Sequence, residues 1–262
     1  VVVAVLTALL LGVIAPPAQA AVSPFWQELG GSASGQGVSG AVGPATAHEG
    51  SVAVGTDGLP VVAYTEYPDA VSAQGTIMVK RWTGSAWASL SPGGIGQGYA
   101  PKVRVAAGGA IHVAWLRDDL GGTEVRLRVS AGPTFVELGG SDSAGGISGS
   151  NPGITAPFAL ALTPAGNPVV AFLGFVQNGV TQVTTTPALI DGTQQVYVRR
   201  WTGSAWEFVG PDFTGGGASN ALSFETPTGT ILHDADAPSL ATDASGNPVV
   251  AFTYFTTVNQ AT

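Results

Sequence analysis

Few side chains in this chain are equipped for chemistry, and most of them sit in short acidic clusters. His233-Asp234-Ala235-Asp236 is the densest. His48-Glu49 occupies nearly the same place ahead of an earlier copy of the same apolar run. Glu66-Tyr67-Pro68-Asp69 and Arg117-Asp118-Asp119 each follow such a run. A ring of carboxylates, histidine and Arg117 could bind a cation or hold a sugar. Two carboxylates at the right separation could also cleave a glycosidic bond. The plainer reading is that these acids solvate loops and cap turns. His and Asp do ligate metals, but His-Asp-x-Asp has the spacing of no strong metal motif, and no cofactor motif is present. Tyr99, just before Pro101, is a candidate for stacking on a sugar ring. His112 lies inside an apolar run and reads as a tucked polar residue.

The elements that must position these residues come from repeats. Arg-Trp-Thr-Gly-Ser-Ala-Trp occurs at Arg81–Trp87 and returns at Arg200–Trp206, 119 positions later (200 − 81). Pro60-Val-Val-Ala-Tyr64 returns as Pro168-Val-Val-Ala-Phe172 and Pro248-Val-Val-Ala-Phe252, with Ile111-His-Val-Ala-Trp115 as a weaker copy. Each copy follows a short apolar run and a glycine-containing turn, which is a hairpin signature. A third run ends in the first residues of the heptad, Ile77–Trp82 and Val196–Trp201, with Val125–Val129 as its degenerate form. The glycines of Thr-Gly-Ser supply a turn, and a fourth run starts on an aromatic at Trp87, Phe135 or Trp206. Trp26–Gly30 resembles a fourth run with no first three before it.

The repeating unit is therefore four strands, A to D, over ~60 residues. The expected fold is all-β, a β-propeller of four-stranded antiparallel blades at about 51–91, 101–140 and 158–210, with a further blade starting at 238–262. Val61, Val62, Ala63 and Tyr64 leave neither strand face polar, as in a sheet covered on both sides. The A–B and C–D turns are short and formulaic, whereas the B–C and D–A connections vary. Fixed turns scaffold and variable loops carry function, so a ligand site is expected on the B–C/D–A face.

The Asp243-Ala-Ser-Gly-Asn-Pro-Val-Val hairpin and the Trp-Thr-Gly-Ser-Ala-Trp hairpin resemble those of bacterial secreted β-propellers of the kelch, NHL and Asp-box (sialidase-like) kind, over about Phe25–Phe252. No copy carries the full Asp-box, the kelch glycine pair or the Trp-Asp of WD repeats, so the resemblance is to the superclass. It implies either an exported binding module for a glycan or a protein, or a sialidase-like hydrolase or lyase. A purely structural surface repeat is the third reading. A sialidase-like site clamps a carboxylate with several arginines. Here Arg81, Arg126, Arg128, Arg199 and Arg200 sit on third strands, and Arg117 alone lies near a suitable loop.

Val1–Ala20 is an apolar run followed by Pro16-Pro17 and Ala18-Gln19-Ala20, which reads as a signal peptide cleaved after Ala20 and missing its Met and basic start. The expectation is a secreted, periplasmic or cell-surface bacterial protein with no membrane insertion after cleavage. Nine basic residues against 17 acidic ones, with no basic cluster, argue against nucleic acid. There is no cysteine, so packing and backbone pairing alone stabilise the fold.

Overall fold

The computed structural model describes residues 27–260 apart from 42, 120–121, 144, 150–153, 155–156, 182–185, 187 and 227–228. The expected signal segment Val1–Ala20, and Trp26, lie outside these. Among the described residues the fold is all-β with antiparallel sheets and contains no helix.

Three four-stranded meanders follow one another. The first is β1 (Thr46–Val54), β2 (Pro60–Tyr67), β3 (Gly75–Trp82) and β4 (Trp87–Ser89). The second is β5 (Gln97–Val105), β6 (Ile111–Asp119), β7 (Gly122–Ala131) and β8 (Thr134–Glu137). The third is β9 (Ala159–Leu162), β10 (Pro168–Phe175), β11 (Gln194–Trp201) and β12 (Trp206–Phe208). Two pairs, Gly75↔Gly98 and Thr76↔Gln97, bridge β3 to β5, so the first two meanders form one continuous eight-stranded sheet. The last sheet is β13 (Phe224–Thr226), β14 (Gly229–Thr242) and β15 (Pro248–Gln260). The segment 211–237, read from sequence as a long D–A connection, thus contains a hairpin of its own. β14 starts well before Ala237 because its early residues pair with the far end of β15, from Gly229↔Gln260 onward.

The turns follow from their residues. In all four A–B turns the first residue's N–H bonds the carbonyl four residues on, as in Gly55 to Leu59 (3.0 Å) and Asp243 to Asn247 (2.9 Å). The fourth residue is always glycine at positive φ, from 76° at Gly58 to 85° at Gly109 and Gly166, a conformation that strains any residue with a Cβ. In the two heptad turns the Thr hydroxyl bonds both the N–H and the carbonyl of Ala86 or Ala205.

Packing runs face to face. Val61, Ala63, Ile77 and Val79 of the first meander meet Val103, Val113 and Trp115 of the second. The other face of the second, Ala114, Leu116, Val125 and Leu127, meets Leu160, Val170, Phe172 and Tyr197 of the third. The far face of the third, Val169, Ala171, Val196 and Val198, meets Leu240, Val250 and Phe252. Middle strands are therefore covered on both sides, and Val169, Val170, Ala171 and Phe172 are all fully buried. Each such side chain contributes about 1.5–3 kcal/mol on burial, less for alanine. The first strands also neighbour one another in series, β1 beside β5, β5 beside β9 and β9 beside β14.

The heptad has a second task beyond its turn. Trp87 Nε1 donates to the Leu29 carbonyl and Trp206 Nε1 to the Leu138 carbonyl, both at 2.7 Å. Two positions ahead of each tryptophan pair, Lys80 bonds the Val38 and Ser39 carbonyls (both 2.9 Å), and Arg199 bonds that of Ile147 (2.6 Å). The tryptophans and the cation thus grip the connector that precedes their own meander. Arg199 also lies 4.3 Å above the Phe208 ring, a cation–π contact. Gln27–Leu29 forms no strand, yet Leu29 fills the place of Leu138 at the end of a fourth run.

Candidate functional site

At the B–C/D–A end of the first meander lies a cavity of about 490 Å³ lined by Thr46, His48, Glu49, Tyr67, Asp69 and Ser72, among others. β1 bulges between His48 and Ser51. The bulge leaves Glu49 in the left-handed region at φ 58°, where a branchless small residue would be the easy choice. Equivalent bulges place Ala100 on β5 (φ 52°) and Ala237 on β14 (φ 49°) in the same conformation. Glu49 differs in carrying a charge there.

Its carboxylate is anchored through one oxygen. Glu49 Oε2 accepts from the Ala100 N–H (2.6 Å), the buried Thr65 hydroxyl (3.1 Å) and the Tyr67 hydroxyl (3.2 Å). Oε1 takes no hydrogen bond among the described residues. Burial, then the Glu49 charge, pushes the Tyr67 hydroxyl up to about 12, so it remains a donor at neutral pH. The His48 ring meets Tyr67 edge-on at 5.7 Å. Asp69 Oδ1 accepts from the Ser72 hydroxyl and N–H (both 2.8 Å) and from Val71 N–H (3.0 Å). The Ser72 hydroxyl, then the Val71 N–H, hold its carboxyl below the usual range. No Lys or Arg lines the cavity.

The structure brings His48, Glu49 and Asp69 to one cavity and disperses the other sequence candidates. Glu66 lies on β2 outside it, its neighbours Thr65 and Tyr67 pointing to the opposite face. Tyr99 donates to Asp118 Oδ1 (2.9 Å), which also accepts from Thr123 (2.8 Å), so both are spent joining β5 to β6 and β7. Burial pushes Tyr99 up to about 12. Arg117, Asp118 and Asp119 are the end of strand β6 and not loop residues, because β6 and β7 pair out to Asp119↔Gly122. Asp119 joins Arg117 (3.7 Å) and Arg126 (3.6 Å), at the rim of a buried ion network in which Arg126 contacts Glu124 and Asp142 binds Arg128.

His233, Asp234 and Asp236, expected in a loop, lie on β14. Alternation along a strand turns His233 to one face and both aspartates to the other. His233 Nδ1 lies 3.2 Å from the Thr256 hydroxyl and its ring 4.9 Å from Tyr254. Asp234 accepts from Gln194 N–H (2.7 Å), and Asp236 from Ala237 N–H (2.6 Å) at the bulge. Asp234 thus ties β14 to the start of β11, and Asp236 caps its own bulge. Among the described residues no group of three or more His, Asp or Glu could hold a metal ion. Tyr67 and Thr65 were passed over in sequence, although alternation along Thr65-Glu66-Tyr67 already put both on the face away from Glu66.

No protein-family model matches the chain, and no curated protein matches it. Among solved structures, a protein of unknown function from Dyadobacter fermentans is similar at 11% identity and a TM-score of 0.46, over 81% of this chain and 63% of that one. This chain thus spans less than two thirds of that protein. A glycosyl hydrolase from Bacteroides ovatus is similar at 11% identity and a TM-score of 0.40, over 79% and 70%. A structure from the GH130 family of mannoside phosphorylases and glycoside hydrolases is similar at 12% identity and a TM-score of 0.39, over 79% and 69%. Likenesses at these TM-scores carry no argument about reaction or ligand.

Proposed function

We propose that the chain is an exported β-propeller module that binds a neutral saccharide at the Glu49 cavity. The blade reading rests on the serial four-stranded meanders, their face-to-face packing and the adjacency of their first strands. Export rests on the apolar leader Val1–Ala20.

One observation carries the ligand reading. Glu49 is fixed by three donors on Oε2, and it lines an open cavity with Oε1 left to accept from a ligand. A fixed carboxylate beside a tyrosine and a histidine ring is suited to sugar hydroxyls and to the apolar face of a pyranose. Two carboxylates with no cation disfavour an acidic ligand. Binding is favoured over cleavage because glycoside hydrolysis needs one carboxyl kept protonated. The Ser72 hydroxyl and then the Val71 N–H hold the Asp69 carboxyl below the usual range, which disfavours it as that acid.

The test is a screen of neutral oligosaccharides on the mature chain, followed by calorimetric titration of the best binder. Losing a charge-assisted hydrogen bond costs about 1.5–3 kcal/mol, so Glu49→Ala lowers affinity roughly ten- to a hundred-fold. Tyr67→Phe, which frees the carboxylate to swing, lowers it less. Unchanged affinity in Glu49→Ala sinks the assignment. Turnover of a glycoside by the wild type would replace binding with catalysis.

A further inference from the structure

The two copies of the heptad stand in different electrostatic settings. In the first, Arg81 forms an ion pair with Asp57 of its own A–B turn. Strand register makes Arg200 its counterpart, since Val61↔Arg81 corresponds to Val169↔Arg200. The matching turn runs Thr163-Pro164-Ala165-Gly166-Asn167 with the same hydrogen bonds as Gly55–Leu59, and Ala165 stands where Asp57 does. Arg200 is exposed and forms no ion pair among the described residues. Glu207 is its cross-strand partner on β12, but it is not within ion-pair distance of Arg200.

Arg200 instead lines a crevice of about 410 Å³ between the A–B turns of the third meander and of the β14–β15 hairpin. Trp201, Asn167 and Ser245 line it too, whereas Glu207 does not. The Asn167 amide and the Ser245 hydroxyl make no hydrogen bond among the described residues. Asp243, the nearby acid, is committed to the Asn247 amide and to the Ser245 and Asn247 N–H groups. A planar guanidinium without a carboxylate partner binds a carboxylate bidentately. Two uncommitted polar side chains beside it suit the hydroxyls of a sugar ring.

We propose that this crevice, on the turn face opposite the Glu49 cavity, is a subsite for the carboxylate of a uronic-acid-bearing saccharide, with Arg200 as its anchor. The assignment is independent of the Glu49 site.

The test is titration of the whole chain carrying Glu49→Ala, which silences the neutral-saccharide cavity, with a glucuronate-containing oligosaccharide, its neutral glucose counterpart and an acidic peptide. The expected result is salt-sensitive binding of the acidic saccharide, with the neutral one at least about tenfold weaker. Arg200→Ala abolishes that preference. Ala165→Asp, which restores the partner seen in the first copy, does the same without removing the arginine. Arg81→Ala leaves it unchanged, and Glu207→Gln strengthens binding. Circular dichroism and a thermal midpoint check that each variant folds. Equal binding of the acidic and neutral sugars overturns the proposal, as does a preference that survives both Arg200→Ala and Ala165→Asp. So does a failure of the acidic saccharide to bind at millimolar concentration, and so does Arg200-dependent capture of the peptide alone.

Discussion

Gly139 supplies the sharpest test of how successive meanders hold each other. It follows Leu138, whose carbonyl receives the Trp206 N–H, and it lies under the Trp201 ring. Its φ is +54°, and a Cβ there would come within 2.6 Å of Trp201 Cη2. Gly139→Ala therefore carries two penalties. Left-handed backbone in a residue with a Cβ costs roughly 1–2 kcal/mol. Forcing a methyl against an indole already packed on Trp206 adds about 1–3 kcal/mol. Gly132→Ala isolates the first penalty, because Gly132 has a similar φ of +64° and open space around it. Urea denaturation monitored by tryptophan fluorescence should show Gly132→Ala losing roughly 1–2 kcal/mol and Gly139→Ala roughly 2–5 kcal/mol. Gly30→Ala, under Trp82 in the same way, should behave like Gly139→Ala. If Gly132→Ala and Gly139→Ala are equally destabilised, the indole yields freely and the grip on the connector contributes nothing.

Other expectations follow from buried polar groups. Burial pushes the His112 imidazole down to about 4 from 6.5. The unfolded chain then takes up its proton first, so stability falls as pH drops from about 6.5 to about 4, by about 3 kcal/mol. Val61 and Val169 occupy the matching positions, so His112→Val should flatten that part of the stability–pH curve in chemical denaturation. Arg126→Met leaves Glu124 buried without its cation, while Asp142 keeps Arg128, a loss of about 3–5 kcal/mol. Adding Glu124→Thr, which completes the Met78/Thr76 pattern of the first meander, should recover part of it in the same assay.

The strands were legible because the middle ones are covered on both faces. A run such as Val169–Phe172 has no polar side to confuse its reading. The formulaic turns were legible because glycine at positive φ recurs at one place in each. The site was less so. His233-Asp234-Ala235-Asp236 looks like a cluster only while it is taken for a loop. On a strand its members face opposite ways. Arg117–Asp119 failed similarly, since pairing with β7 extends the strand through them. Glu49 was found through its neighbour His48, but its anchoring was not, because the Ala100 N–H comes from another meander. The heptad was read as a turn whose flanking tryptophans pin two strands and pack between blades. Its hold on Leu29 and Leu138 spans 58 and 68 positions (87 − 29, 206 − 138), farther than any local pattern reaches.

That hold bears on how such an array could be lengthened. The second meander has Phe135 and no tryptophan pair, and it provides the Leu138 connector without gripping Leu90 in the same manner. Giver and gripper therefore alternate. An engineer who inserts one extra meander would set two givers or two grippers side by side. The segment to duplicate is a pair of meanders, cut so that each tryptophan pair arrives with the leucine carbonyl it needs.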